Sequence, residues 1–214
     1  MRIDDIYSYF IAELPGCPDE TARLAVERVF RELCTRAKVW SEWMDDILLI
    51  DDQAVYDLEA PTNASLVESA FEVWIGPSWQ LKPKTLREIP QLMPDYLTGR
   101  SNMPIYYNMP ESAQSLTLYY TPLNATLPLR VKGIYIPKRG ITTIPDDIAN
   151  NNLALIEKGA KSILMLQNKQ QWSDPKMGAF WKAEYEKDLE SAAINQAKGN
   201  VENSDRVIPR AFGY

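Results

Sequence analysis

The spacing of apolar residues changes twice along this chain, and these changes limit the fold more than any other feature of the sequence. Residues 19–43 place apolar side chains every three or four positions, which is typical of a helix with one buried face. Residues 47–136 alternate apolar and polar side chains between prolines, which predicts short strands. The helical spacing returns in residues 146–198. The sequence therefore predicts an α+β fold, in which a helical bundle carries an inserted antiparallel β sheet or sandwich.

This pattern also predicts how the chain is divided. Residues 1–46 and 145–199 are expected to form the bundle, from N-terminal helices and two C-terminal helices. Residues 47–144 are expected to form the β insertion. The helical pattern stops after Gly199, and residues 200–214 are expected to form an extended C-terminal tail.

The ends of the helices carry recognisable signals. A Pro-Gly-Cys-Pro run at 15–18 precedes a helix that we expect to continue to about Trp43. Asp146-Asp147 suits the start of another helix, and Asp174-Pro175 reads as an N-cap followed by a first-turn proline. Within the insertion, Asp51-Asp52-Gln53 is expected to form a turn between two strands.

Composition excludes several classes of function. The chain of 214 residues has no histidine, which excludes serine–histidine triads, cysteine–histidine dyads and histidine-ligated metal sites. Its net charge of -6 argues against a protein that grips nucleic acid through phosphates. We expect no membrane span and no signal peptide, because the sequence has neither pattern. Cys17 and Cys34 are expected to be reduced thiols in a protein made in the cytoplasm.

Three acidic pairs, Asp45-Asp46, Asp51-Asp52 and Asp146-Asp147, are the candidates for carboxylate chemistry. A glycosidase needs two carboxylates that face each other across a sugar, which adjacent residues do not supply by themselves. The structural alternatives are a helix end, a hairpin turn and a helix N-terminus, in that order. We favour these alternatives, and we expect no catalytic, cofactor-binding or metal-binding residue.

Aromatic residues in the insertion suggest a second hypothesis. On alternating strand positions they could stack against sugars, although they more often pack across strands within a core. The alternative function is therefore a carbohydrate-binding or fibre-binding module. The candidates for the stacking platform are Trp74, Trp79, Tyr106, Tyr107, Tyr119 and Tyr120.

The C-terminal tail combines apolar and basic side chains beyond the last helix. Such residues at a terminus either fray or find a partner, and an extended segment of this kind can add to a sheet edge. We favour partner binding over disorder. The residues expected to make the contact are Arg206, Val207, Ile208, Pro209, Arg210, Phe212 and Tyr214.

The order of several motifs between about residues 10 and 190 resembles a known family. These motifs are LPGCPDETA, FRELCTRAKVW, AVYDLEAP, FEVWIG, LKPKTLREIPQLMPDYLTGRSNMPIYY, SLTLYYTP, LRVKGIYIPKR, IEKGAKSILML and QWSDPKMGAFWKAEYEKDL. In this order and spacing the chain is similar to the head-to-tail adaptors of short-tailed bacteriophages, the tail-tubular-protein-A-like group.

The resemblance implies a structural virion protein and not an enzyme. It implies a dodecameric homo-oligomeric ring in the neck of the virion, bound beneath the portal protein and above the tail nozzle protein, with tail fibres as a further partner. Genomic DNA would pass through the channel without specific binding, and no cofactor or membrane would be involved. In this family the C-terminal segment commonly reaches the portal, which makes Arg206–Tyr214 the expected portal-binding segment. A carboxylate-only hydrolase stays open as a third hypothesis.

Overall fold

The computed structural model describes residues 1–96, 98–110, 114–123 and 125–198. The mixed α+β class is confirmed. The helices are α1 (Ile3–Ser8), α2 (Asp19–Glu32), α3 (Ile89–Leu92), α4 (Asp146–Met165) and α5 (Pro175–Ala197). A 3-10 turn (Ile11–Glu13) follows α1, and a π-helical turn (Leu33–Ala37) follows α2.

Helix α2 begins where the sequence predicts, but it ends earlier. Pro18 is its N-cap residue, and Asp19 and Glu20 lie in the first turn, where negative charge favours the helix dipole. The prediction that the helix continues to Trp43 is wrong. After the π-helical turn, Lys38 has a left-handed backbone with φ of 53°, and Ser41–Trp43 forms a strand.

The side chain of Trp40 explains the earlier end of α2. Its ring packs between those of Phe30 and Tyr135, with centroids 6.0 Å from each, so it joins the helix to the sheet. Trp40 is therefore buried, as the helical spacing predicts, although its backbone is not in a helix. Strand pairing of residues 41–43 with the sheet outweighs the local periodicity.

Helix α4 is the centre of the helical layer. It packs against α2 on one side and α5 on the other. Gly159 allows the close approach, because a Cβ atom added there would lie 2.7 Å from Val29 Cγ1 and 2.9 Å from Tyr185 Cε2. The predicted helix starts are confirmed: α4 begins at Asp146, and Asp174 caps α5 by accepting the Met177 N–H at 3.0 Å.

The strands form one main sheet, a second smaller sheet and a two-strand pair. The strands are β1 (Ser41–Trp43), β2 (Ile47–Leu48), β3 (Val55–Asp57), β4 (Ser65–Ile75), β5 (Trp79–Gln80), β6 (Lys82–Pro83), β7 (Arg100–Ser101), β8 (Tyr106–Asn108), β9 (Ser115–Tyr119), β10 (Thr121–Pro122) and β11 (Pro128–Pro137). The main sheet has the order β1-β11-β4-β5, with β2 also beside β11. The second sheet has the order β3-β9-β8-β6, and β10 pairs with β7.

The long antiparallel strands β4 and β11 form the centre of the main sheet. Its register runs from Leu129 opposite Ile75 to Pro137 opposite Ser65, with shifts at Lys132/Gly133 and at Ile134/Tyr135. The pairs β6–β8 and β10–β7 are parallel. The turn at Asp51-Asp52 is present, but the strands that flank it belong to different sheets, because β2 pairs with β11 and β3 with β9.

One hydrophobic core joins the helices to both larger sheets. It includes Phe30 of α2, Ile156 of α4, Val131 of β11 and Leu116 of β9, all completely buried. A small second cluster contains Ile89, Met93 and Tyr119. The division at residues 46, 47, 144 and 145 stays a prediction, and residues 200–214 lie outside the described residues. Among the described helices, none is long and apolar enough to cross a membrane.

Candidate interaction surfaces

The acidic pairs are placed in three different environments. Asp51 Oδ1 accepts the Ala125 N–H at 2.6 Å, and Asp52 forms an ion pair with Arg100 at 2.9 Å, so this pair holds a turn. Asp146-Asp147 lies in the first turn of α4, as expected. The expectation that Asp45-Asp46 ends a helix is wrong, because these residues lie in the loop between β1 and β2. Within the described residues, no three acidic or cysteine side chains are arranged to hold a metal ion.

The aromatic residues of the insertion do not form an exposed platform. Tyr107 and Tyr119 are buried, and the other four candidates are half-buried. Trp79 Nε1 donates to the carbonyl oxygen of Pro104 at 2.8 Å, and Trp74 Nε1 donates to Glu72 at 3.0 Å. These side chains therefore pack within the insertion, which leaves little aromatic surface for a sugar.

The predicted partner-binding residues of the tail lie outside the described residues, and the structure does not test them. They are Arg206, Val207, Ile208, Pro209, Arg210, Phe212 and Tyr214. The described part of the chain ends at Lys198, directly after α5, so α5 fixes the point from which the tail starts.

Helix α5 exposes apolar side chains on the face that points away from the bundle. Its opposite face packs against the bundle, where Gly178, Tyr185 and Leu189 are buried. The positions 176, 180, 183, 187 and 194 recur at helical spacing, and all five are exposed. Phe180 is 52% exposed and Ile194 is 55% exposed. We call Lys176, Phe180, Ala183, Lys187 and Ile194 the α5 outer face.

Ion pairs along its flanks hold α5 in this orientation. Arg36 donates to Glu186 at 2.7 Å, which lowers the pKa of that carboxyl group. Lys158 of α4 bonds Asp188 at 2.5 Å. The burial of Tyr185 and Leu189 sets the rotation of α5 about its axis, and these two ion pairs on either side are consistent with it, with Phe180 and Ile194 in solvent.

A buried cation anchors the start of α5. Lys161 of α4 is 3% exposed, and its Nζ donates to Glu13 and forms an ion pair with Glu157, both at 2.7 Å. It also lies 5.0 Å from the ring centroid of Trp181, in cation–π contact. Burial alone would lower the pKa of Lys161, but the bonds from the two carboxylates outweigh it, and the pKa is raised. The lysine is therefore charged at neutral pH and ties α5 to α4.

A second apolar surface lies where two loops of the insertion meet. Residue 52 donates its N–H to the carbonyl oxygen of Pro122 at 2.9 Å, which places the loop after β2 against the segment after β10. Leu48 is 78% exposed, and three neighbours in these loops are also exposed. We call Leu48, Ile50, Leu123 and Leu127 the β-loop patch. It shares no residue and no secondary-structure element with the α5 outer face.

An acidic groove of about 580 Å³ lies between the edge of the main sheet and β3. Asp45, Asp46, Asp57 and Glu59 are exposed on its walls. Its remaining lining includes the half-exposed Trp43 and the buried Tyr135. We call the groove lined by Trp43, Asp45, Asp46, Asp57, Glu59 and Tyr135 the acidic groove.

Sequence reasoning missed all three surfaces, although two of them left a signal. Apolar residues of α5 occur on both sides of the helix, as Phe180 and Ile194 show opposite Tyr185, and a helix that is apolar on two sides is expected to have two neighbours. The sequence shows Asp45-Asp46 as a pair, but the other two acids of the groove lie elsewhere in the chain. Asp57 is in β3 of the second sheet, and Glu59 follows that strand. Only the three-dimensional pairing brings these four together.

No protein-family model matches the chain, and no curated protein matches its sequence.

Proposed function

We propose that this chain is a structural virion protein, a head-to-tail adaptor of a short-tailed bacteriophage. It forms a dodecameric ring under the portal protein, extends the DNA channel and links the portal to the tail nozzle protein, with tail fibres as a further partner. It is made in the host cytoplasm and works in the neck of the virion. The motif order described above suggests this role, and the surface of α5 supports it.

The α5 outer face is the observation that carries the proposal. Phe180 and Ile194 are more than half exposed on a helix whose opposite face is already packed against α4. Fully burying one such side chain contributes about 1.5–3 kcal/mol. A neighbouring subunit is a natural source of that burial, because a structural ring places the same helix against the next copy at every interface.

Ring closure requires two different surfaces on each subunit, since a head-to-tail contact joins one patch to another. The α5 outer face and the β-loop patch are two separate surfaces that each expose large apolar side chains, with two lysines beside Phe180 and Ile194 on the first. The chain also has an overall net charge of -6, which would repel DNA phosphates and allow DNA to slide past. The proposed role is therefore non-catalytic and needs no cofactor.

The alternative, a carbohydrate-binding or fibre-binding module without ring assembly, has less support. Its six candidate aromatic side chains are packed or half-packed within the insertion. Fibre attachment through the insertion is compatible with the adaptor role and does not require these side chains.

The test is the mass of the protein alone and mixed with its candidate portal ring, measured by light scattering and imaged by cryo-electron microscopy. We expect the isolated subunit to be largely monomeric, and the portal to recruit many copies into a closed ring with a central channel. A monomer that ignores the portal would contradict the proposal, and a glycan array would then be the next experiment.

A pair of variants tests the α5 outer face in the same assay. Ile194→Asp is expected to prevent closure of the ring, because it places a charge in the proposed interface. Leu24→Asp is the matched control, since Leu24 is also 55% exposed on a helix but lies on α2. If the two variants assemble equally well, α5 does not lie in the interface between subunits.

A further inference from the structure

The acidic groove has more negative charge than its described neighbours balance. Asp46 pairs with Arg130, with Oδ1 3.5 Å from the arginine Nε. Among the described residues, no cation lies within ion-pair distance of Asp45, Asp57 or Glu59. Three like charges around one cavity repel each other, so the groove favours a cationic occupant.

A buried tyrosine in the groove also lacks a partner. Tyr135 is 1% exposed and lines the groove, and Gly133 leaves the space that its hydroxyl and Met44 fill. Its hydroxyl makes no hydrogen bond with any described residue and is not among the fully buried polar atoms that lack a partner, so its oxygen reaches the open space of the groove. The hydroxyl oxygen can accept a bond from an N–H donor that enters the groove.

The walls of the groove already bind one arginine. The guanidinium group of Arg130 lies 5.0 Å from the ring centroid of Trp43 while the same side chain pairs with Asp46. Arginine combines a flat cationic surface with several N–H donors, which suits an aromatic ring beside carboxylates. An occupant of the groove is therefore expected to supply a second arginine.

The chain itself supplies such a segment within reach. Gln196, Ala197 and Lys198, at the end of α5, line one cleft together with Lys132. Lys132 is the direct strand partner of Trp43, and Cα atoms in such pairs are about 5 Å apart. The eight residues from Gly199 to Arg206 span up to about 26 Å when extended, which is ample to reach the groove.

The composition of this segment matches the groove. Residues 206–214 read RVIPRAFGY, with two arginines and no acidic side chain. We infer that in the free subunit residues 206–214 dock in the acidic groove of their own chain, with Arg206 or Arg210 donating to Asp45, Asp57 or Glu59. The inference concerns the isolated subunit and does not rest on ring assembly. A partner that binds the tail would first have to displace it from the groove.

Photo-crosslinking in the full-length monomer tests this inference. The photoreactive residue p-benzoylphenylalanine replaces Phe212 in one preparation and Val207 in another. After irradiation the crosslinked peptides are mapped by mass spectrometry. We expect intramolecular crosslinks from at least one position to the groove residues 43–47 or 57–61. The double variant Arg206→Glu/Arg210→Glu should reduce them at least about tenfold, because charge-assisted hydrogen bonds are lost.

A matched pair of groove variants separates charge complementarity from general disturbance. Asp57→Lys should reduce the crosslinks by a similar factor, whereas Asp95→Lys, at another exposed acid, should leave them unchanged. Thermal unfolding of every variant shows whether the fold is kept. The inference is overturned by crosslinks to another surface, such as the β-loop patch, or by crosslinks between two copies. It is also overturned if neither position crosslinks to 43–47 or 57–61, or if the crosslinks survive the charge reversals in folded protein.

Discussion

Replacing Gly159 with alanine tests whether α4 is the central, tightly packed helix. A Cβ atom at this position would lie 2.7 and 2.9 Å from the two methyl groups of Val29 and 2.9 Å from Tyr185 Cε2. These separations are well inside normal contact, so α2 and α5 must both move. Overpacking of this kind costs about 1–3 kcal/mol.

An opposite contribution must be subtracted before the result is interpreted. Alanine favours a helix over glycine by about 1 kcal/mol at interior positions. Gly159→Ala is therefore expected to change the free energy of unfolding by between no net effect and a loss of about 2 kcal/mol. The exposed Ala154, also in α4, provides the control, because Ala154→Gly measures the propensity difference without the packing contribution.

Urea unfolding followed by far-ultraviolet circular dichroism measures both variants. If the propensity difference from Ala154→Gly is added to the loss in Gly159→Ala, the sum should equal the packing cost of about 1–3 kcal/mol. Val29→Ala removes both crowded methyl groups, so Gly159→Ala should cost less in the Val29→Ala protein than in the wild type. A Gly159→Ala protein that gains the full propensity difference would refute the close packing of α4.

Two further predictions concern the ion pairs of α5 and the tail. Hydrogen bonding from Arg36 lowers the pKa of Glu186 below its ordinary value of 4.5, so the pair stabilises the fold above that value and its contribution is lost as the pH falls through the lowered pKa. Glu186→Gln should therefore lower the free energy of unfolding by at most about 1 kcal/mol at pH 7, since both partners are more than a third exposed. In urea unfolding, the difference between this variant and the wild type should vanish at low pH. A difference that persists at low pH would contradict the prediction. Deletion of residues 200–214 should leave the thermal unfolding of the fold intact but abolish portal docking in a co-sedimentation assay, and normal assembly of the truncated protein on portal rings would disprove the role of the tail.

The sequence predicted those parts of the fold that depend on local signals. The start of α2 after Pro18, the start of α4 at Asp146 and the cap at Asp174 all follow from side chains that act on their own helix. Chemistry within a few residues decides each of these features.

The features that sequence reasoning missed depend on contacts between distant segments. Nothing local ends the helical spacing before Trp40, and its burial between Phe30 and Tyr135 becomes visible only once β11 is in place. The acidic groove has the same origin, since Asp45 and Asp57 meet through two different sheets. The α5 outer face is visible in the sequence only as apolar side chains on both sides of the helix, with Phe180 and Ile194 opposite Tyr185.

Helix α5 has three separable functions in these proposals, which makes it the most informative element to mutate. Its inner face holds the bundle through Tyr185 and Leu189, its outer face offers Ile194 to a neighbour, and the proposed docking of the tail starts from its end at Lys198. If a docked tail must be displaced before the portal can bind it, tail release and ring closure become linked, because both involve α5. A groove variant such as Asp57→Lys should then speed recruitment to the portal, since the tail is already free. Ile194→Asp should leave recruitment unchanged and block only closure, so the order of the two steps can be read from the two variants.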